Sequence, residues 1–159
     1  VGTRLPQVRF SDTGEVAEVT SPDTIAFVCR LANGAFGAVQ SSWVAWHGSG
    51  WRLEVYGTEG KLVATSPEIL QYGAIRLRGA RKDEPGEQDM EVPDRLRWVT
   101  ELPPADAVPY NVAQLARKFA EGIVQGHPVH PNFHDAARLH HVLEAVERSA
   151  QERRWVAVE

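Results

Sequence analysis

Histidine is the residue type in this chain best able to do chemistry, and its placement limits what that chemistry can be. His127, His130 and His134 lie close together, with His140 and His141 further on. A zinc site needs ligands that converge with fixed geometry, often an i, i+4 pair on one helix face. Pro128 and Pro131 interrupt the run, so His127 and His130 fall on a loop and His134 near a helix start. No Glu follows at metalloprotease spacing. A stand-alone hydrolase or metal enzyme using these three is therefore one reading, set against a loop carrying surface histidines. A serine nucleophile would need a Gly-x-Ser-x-Gly elbow between strand and helix. Gly48-Ser49-Gly50 instead has β patterns on both sides, and loop flexibility accounts for its glycines. Gly57-Thr58-Glu59-Gly60 precedes a strand, whereas a dinucleotide-binding turn uses a following helix N-terminus to hold phosphate. No complete catalytic constellation emerges.

The segment from Trp43 to Trp51 is different, because three indoles and one imidazole (Trp43, Trp46, His47, Trp51) crowd a strand end and its loop. Aromatic faces with nearby polar tips suit sugar-like or polyol ligands, whose C–H faces stack while their hydroxyls find donors. Trp46 and His47 are the candidate substrate contacts, with Ser49 as a hydroxyl contact. The competing reading makes Trp43 and Trp51 core or interface residues, and both readings stay open for Trp46 and His47.

The elements that must position these residues can be traced by periodicity. Thr24 to Leu31 places Ile25, Phe27, Cys29 and Leu31 on one face at period two. Asn33-Gly34 tolerates positive φ at both central turn positions and predicts a hairpin. The partner strand, from Phe36 to about Ala45, is rich in Gly37, Ala38, Ser41 and Ser42, which leaves a flat sheet face. Trp51 to Tyr56 alternates with Trp51, Leu53 and Val55 inward, and Gly57 and Gly60 bracket a second hairpin turn. Lys61 to Thr65 returns, and Ser66-Pro67 ends the strand, since proline cannot donate to a ladder. Weaker strands are expected at 74–78 and 90–92, with an irregular connection from Pro93 to Pro109. A helix over 111–125 carries Val112, Leu115, Ala116, Phe119 and Ile123 on one stripe, and Gly126 stops it. A second helix, from about His134 to Glu152, would bury Ala136, Leu139, Leu143, Val146 and Ala150. Trp155 to Val158 reads as a last short strand. The fold class is α+β, a largely antiparallel open-faced sheet with helices packed on one face.

Length and composition exclude several classes. The 159 residues fit one domain, 1–159, with globular apolar and charged content. No apolar run approaches the roughly 20 residues a membrane helix needs, and the N-terminus has no secretory h-region. Cys29 stands alone in a strand, which suits a reducing cytoplasm. A net charge of −4 gives no support to a nucleic-acid partner. Arg76, Arg78, Arg81 and Lys82 form a basic cluster, but Asp83, Glu84 and Glu87 follow, so this reads as a solvated loop rather than a phosphate site. The chain starts at Val1 and its single Met is Met90, as expected of something processed or cut from a larger protein.

Asp23 to Phe27, Ala32 to Ser42, Leu53 to Leu62, Phe119 to Ile123, Pro131, Asp135-Ala136, Leu143 to Ala145, Ser149-Ala150 and the closing Trp155 to Val158 together resemble the C-terminal domain of the glucose–fructose oxidoreductase, inositol dehydrogenase and rhizopine catabolism protein (Gfo/Idh/MocA) family. The likeness covers nearly the whole chain. It implies a missing N-terminal Rossmann domain that binds NAD or NADP, with this chain supplying substrate contacts and a homo-oligomer interface through its open sheet. The parent would then be an oxidoreductase acting on a sugar, polyol or related alcohol, and the isolated chain would be inactive. The family's Glu-Lys-Pro motif and Asp-x-x-x-His pair are not found here; Asp135 is followed by Leu139 at the latter's offset. No catalytic, cofactor-binding or metal-binding residue is carried over. The loop from Trp46 to Gly50 occupies the place where relatives bring side chains near substrate. Glu152-Arg153 stands where relatives put glycine, so the second helix is expected to end without a left-handed cap. A non-catalytic dimerisation or interaction domain of the same fold is the alternative.

Overall fold

A computed structural model describes residues 1–102 and 107–158. The architecture is α+β, and every strand pairing among these residues is antiparallel. Two compact units are present, Val1–His47 with Pro131–Glu159, and Gly48–His130.

The first unit opens with a short hairpin that the residue patterns did not disclose. Its strands β1 (Gln7–Arg9) and β2 (Val16–Glu18) have three residues each, too few for alternation to register. Strands β3 (Thr24–Arg30) and β4 (Phe36–Ser42) then pair over their full length, Phe27 opposite Val39 and Cys29 opposite Gly37. A side chain at Gly37 would press on the Cys29 sulfur, which explains why a glycine sits opposite the thiol. The connection is not the two-residue turn that Asn33-Gly34 suggested. Only Gly34 takes positive φ (89°), the Leu31 N–H donates to Ala35 O at 2.8 Å, and Asn33 Oδ1 accepts from the Ala35 N–H. The asparagine therefore works through its side chain, as Asx turns do.

Helix α2 (Phe133–Glu152) starts at a complete capping box. Asn132 Oδ1 accepts from the N–H groups of His134 and Asp135, and Asp135 Oδ2 accepts from the Asn132 N–H at 2.9 Å. Its least exposed positions are Val142, Ala145, Val146 and Ser149. Ala136, Leu139, Leu143 and Ala150, expected to be buried, are exposed; of that set only Val146 is partly covered. The helix ends in a left-handed cap at Arg153 (φ 54°, ψ 39°), against expectation. A Cβ in that conformation costs about 1–2 kcal/mol, partly offset for glycine by its larger loss of freedom on folding. Arg153→Gly is therefore expected to stabilise the chain by about 0.5–1 kcal/mol, read as a rise in thermal midpoint. Residues 155–158 form no strand. They are held instead to the end of α2, where Arg148 donates to Ala157 O and Ser149 Oγ donates to Arg154 O at 2.6 Å.

The second unit is built on a four-stranded meander, β5 (Trp51–Gly57), β6 (Gly60–Ser66), β7 (Arg76–Arg81) and β8 (Gln88–Met90). The β5–β6 turn falls where the glycines placed it, with Gly57 opposite Gly60. Strand β6 contributes the innermost side chain of the unit, Val63, at 2% exposure. Leu53 and Val55, expected inward, are exposed, as are Leu62 and Met90 on the same face.

Helix α1 (Ala107–Gln125) begins before the expected start, with Pro109 in its first turn. Proline is tolerated there because the first N–H groups have no helical partner. The expected irregular connection thus ends earlier; it holds a 3₁₀ turn at Asp94–Leu96, and its stretch 103–106 lies outside the described residues. Gln114 Oε1 accepts the N–H groups of Trp98 and Val99, and Asn111 donates to Leu70 O and Gly73 O. The helix stops at Gly126 (φ 70°), with His127 N–H donating back to Gly122 O. Val112, Leu115, Phe119 and Ile123 form the expected stripe, but all four are exposed.

Candidate functional site

Asp23 fixes the geometry at the end of β4. Its carboxylate accepts the N–H groups of Arg4 and Leu5 at 2.8–2.9 Å and the Thr24 hydroxyl, and its backbone carbonyl accepts from Trp43 N–H. The Leu5 N–H, foremost among these donors, holds the Asp23 carboxyl below its ordinary range. Thr24 Oγ1 and Ser42 Oγ share a hydrogen bond of 3.0 Å, and Ser42 Oγ accepts from Val44 N–H. From this anchored end the chain leaves the sheet with Trp43 at 82% and Trp46 at 91% exposure. An indole face so open offers a stacking surface for an apolar ring or a sugar C–H face.

His47 follows in a left-handed conformation (φ 56°), as does Arg153 alone of the other non-glycine residues among those described. Such backbone strain clusters at binding segments. Trp46 and His47 belong to the first unit, and Ser49, also exposed, belongs to the second. Gly50 takes φ 82°, and a Cβ there would run into Ser66 O and lie 2.8 Å from the Pro67 carbonyl. The last glycine of Gly48-Ser49-Gly50 thus answers a close backbone approach, beyond the loop flexibility expected of it. Trp51 is half-buried at the start of β5.

The three histidines are divided between the units, His127 and His130 in the second and His134 in the first. His127 is already engaged, Nε2 with Gln125 Oε1 at 2.6 Å and Nδ1 with Pro128 O at 3.3 Å. Among the described residues no group of three His, Cys, Asp or Glu side chains is placed to hold a metal ion, and no helix is long and apolar enough to cross a membrane.

A second chemical feature went unread in the sequence. One face of the β5–β8 sheet carries Arg52, Glu54, Tyr56, Lys61, Arg76, Arg78 and Asp89, with Glu87 just ahead of β8. They form a ladder in which Arg52 pairs Glu54, Tyr56 Oη donates to Glu54 at 2.6 Å, and Lys61 pairs Glu87. Arg78 reaches Glu87 at 3.1 Å, and Arg76 meets Asp89 through two bonds of 2.7 and 2.8 Å. The basic cluster expected on a solvated loop is therefore mostly strand, with Arg76, Arg78 and Arg81 in β7, and Arg76, Arg78 and Lys82 already face carboxylates. The usable signal was charge recurring at i, i+2 in Arg52-x-Glu54, Arg76-x-Arg78 and Glu87-x-Asp89.

The Tyr56 hydroxyl depresses the Glu54 carboxyl, Lys61 depresses Glu87 and Arg76 depresses Asp89. Lowered carboxyls contribute stability that is complete above their unfolded values near 4 and is lost as pH falls through the folded ones. Tyr56 and Lys61 are raised, by Glu54 and Glu87 respectively, so their share is complete below about 10 and is lost above it. Urea midpoints should hold between pH 5 and 9 and fall on either side, the acid fall shrinking in 1 M salt, which screens exposed pairs.

Residues 6–158 match the C-terminal alpha/beta domain of an oxidoreductase family, the Gfo/Idh/MocA C-terminal domain, and the chain belongs to that family. It is 27% identical over 148 residues to an uncharacterized oxidoreductase of Synechocystis sp. (strain ATCC 27184 / PCC 6803 / Kazusa). That alignment covers 92% of this chain and 39% of the relative, so the chain spans about two fifths of that protein's length. No solved structure matches the chain.

Proposed function

We propose that this chain is the C-terminal substrate-binding and oligomerisation domain of an NAD(P)-dependent oxidoreductase acting on a sugar, polyol or related alcohol. The family match over 6–158 carries this reading. In that division the cofactor, held by an N-terminal Rossmann domain outside this chain, supplies hydride chemistry, and this domain orients substrate and excludes water. Trp46 offers its indole face to the substrate's C–H surface, and His47 and Ser49 offer polar groups to its hydroxyls. The chain by itself is inactive, because the hydride carrier is held outside it. Tight, saturable quenching of NADH fluorescence by the isolated chain would contradict this.

Oligomerisation is assigned to the open sheet. Leu53, Val55, Leu62 and Met90 lie exposed on one face of β5–β8, and soluble monomers rarely leave a contiguous apolar patch of that kind uncovered. Light scattering at micromolar concentration should report a dimer or larger assembly, and a strict monomer would remove this part of the reading.

A further inference from the structure

A groove of about 880 Å³ opens in the first unit between β3, α2 and residues 153–158. Its walls are largely apolar, with Phe27 and Cys29 on the strand side and Val142 and Val146 on the helix side. Arg30, Arg153 and Arg154 line it as well; among the described residues no Asp or Glu does, and of the three guanidiniums only that of Arg154 is ion-paired, to Glu152. Among the described residues, strand β3 pairs only with β4 along its length, and beyond that its first residue alone forms a bridge, Gly2–Thr24. That bridge is doubly bonded: Gly2 N–H donates to Thr24 O at 2.9 Å, and Thr24 N–H donates to Gly2 O at 3.1 Å. Because the bridge is antiparallel, residues preceding Val1 are directed along β3 towards Arg30, and Val1 itself forms part of the groove wall.

We infer that this groove is the seat of the segment immediately preceding Val1 in the longer protein. The occupant presents an apolar face to β3 and α2, and carbonyl or carboxylate oxygens to Arg30 and Arg153. This rests on reading the chain as the C-terminal part of a larger oxidoreductase, a reading supported by its span of 39% of the Synechocystis relative. Burial of apolar surface supplies the attraction, and the tether at Gly2 keeps the segment at high effective concentration.

Cys29, the single thiol, lies on the groove wall and reports its occupancy. The experiment compares labelling by dithiobis(nitrobenzoate) in the 159-residue chain and in the chain extended by the thirty codons upstream of Val1. The extension should slow labelling at least tenfold, and Arg30→Gln with Arg153→Gln in the extended chain should recover most of the rate. A second probe, Val146→Cys in a Cys29→Ser background, should be slowed alike, which guards against a local effect at one sulfur. Equal labelling of both chains at both positions, with circular dichroism showing each folded, overturns the docking and leaves the larger-oxidoreductase reading standing. A start codon at Val1 in the gene overturns both. Slowing that appears in the 159-residue chain only as its concentration rises assigns the groove to a second copy instead and overturns the proposal.

Discussion

Replacing Trp46 with alanine in the full-length oxidoreductase is expected to raise the substrate KM about tenfold, equivalent to roughly 1.4 kcal/mol, with kcat close to unchanged. The side chain is 91% exposed, so removing it takes nothing from a core, and thermal stability should stay within error. A stacking contact to a ring or C–H face binds ground state and transition state alike, and its loss therefore falls on KM. His47→Gly separates the two roles of its neighbour. Glycine relieves the left-handed backbone at φ 56° while deleting the imidazole, so KM should rise although the fold gains stability. Steady-state kinetics on the two variants, with melting curves beside them, checks both statements. If KM is unmoved in both, the domain serves assembly alone, as the interaction-domain alternative holds.

What the sequence disclosed depended on how local the determining physics was. Alternation over Thr24–Arg30 and Trp51–Gly57, and the Gly57/Gly60 bracket, located four strands because period and turn chemistry are read within a few residues. Gly126 and Asp135 marked helix termini for the same reason. Burial was less legible. Leu53, Val55, Leu139 and the α1 stripe have the spacing of core residues yet lie exposed, because periodicity says which residues share a face and not what covers it. Arg153 misled through a propensity that the Ser149 and Arg148 bonds to residues 154 and 157 override. The charge ladder needed cross-strand register, which brings Lys61 beside Glu87 from 26 positions away. Of the candidate site, the exposure of Trp46 follows from its loop position, whereas the strain at His47 is a property of backbone no residue type announces.

Gly50→Ala is expected to cost about 3 kcal/mol or more in stability. Two penalties combine there. The left-handed backbone at φ 82° disfavours any Cβ by about 1–2 kcal/mol, and the new methyl would also meet the Ser66 and Pro67 carbonyls. Neither obstacle is a flexible side-chain tip, so relief requires moving backbone. That movement falls on the Trp51–Ser66 pair, the end of the β5–β6 hairpin farthest from its turn. Gly86→Ala is the matched control, since it has no neighbour within 4 Å and no positive φ; it should stay within about 0.5 kcal/mol of the parent chain. Urea midpoints of the two variants measure the difference. Equal midpoints would mean that the backbone at Gly50 yields freely and that its close approach to Ser66 and Pro67 is not needed for stability. A large drop confined to Gly50→Ala would show that this glycine is there to let its backbone approach that of Ser66 and Pro67.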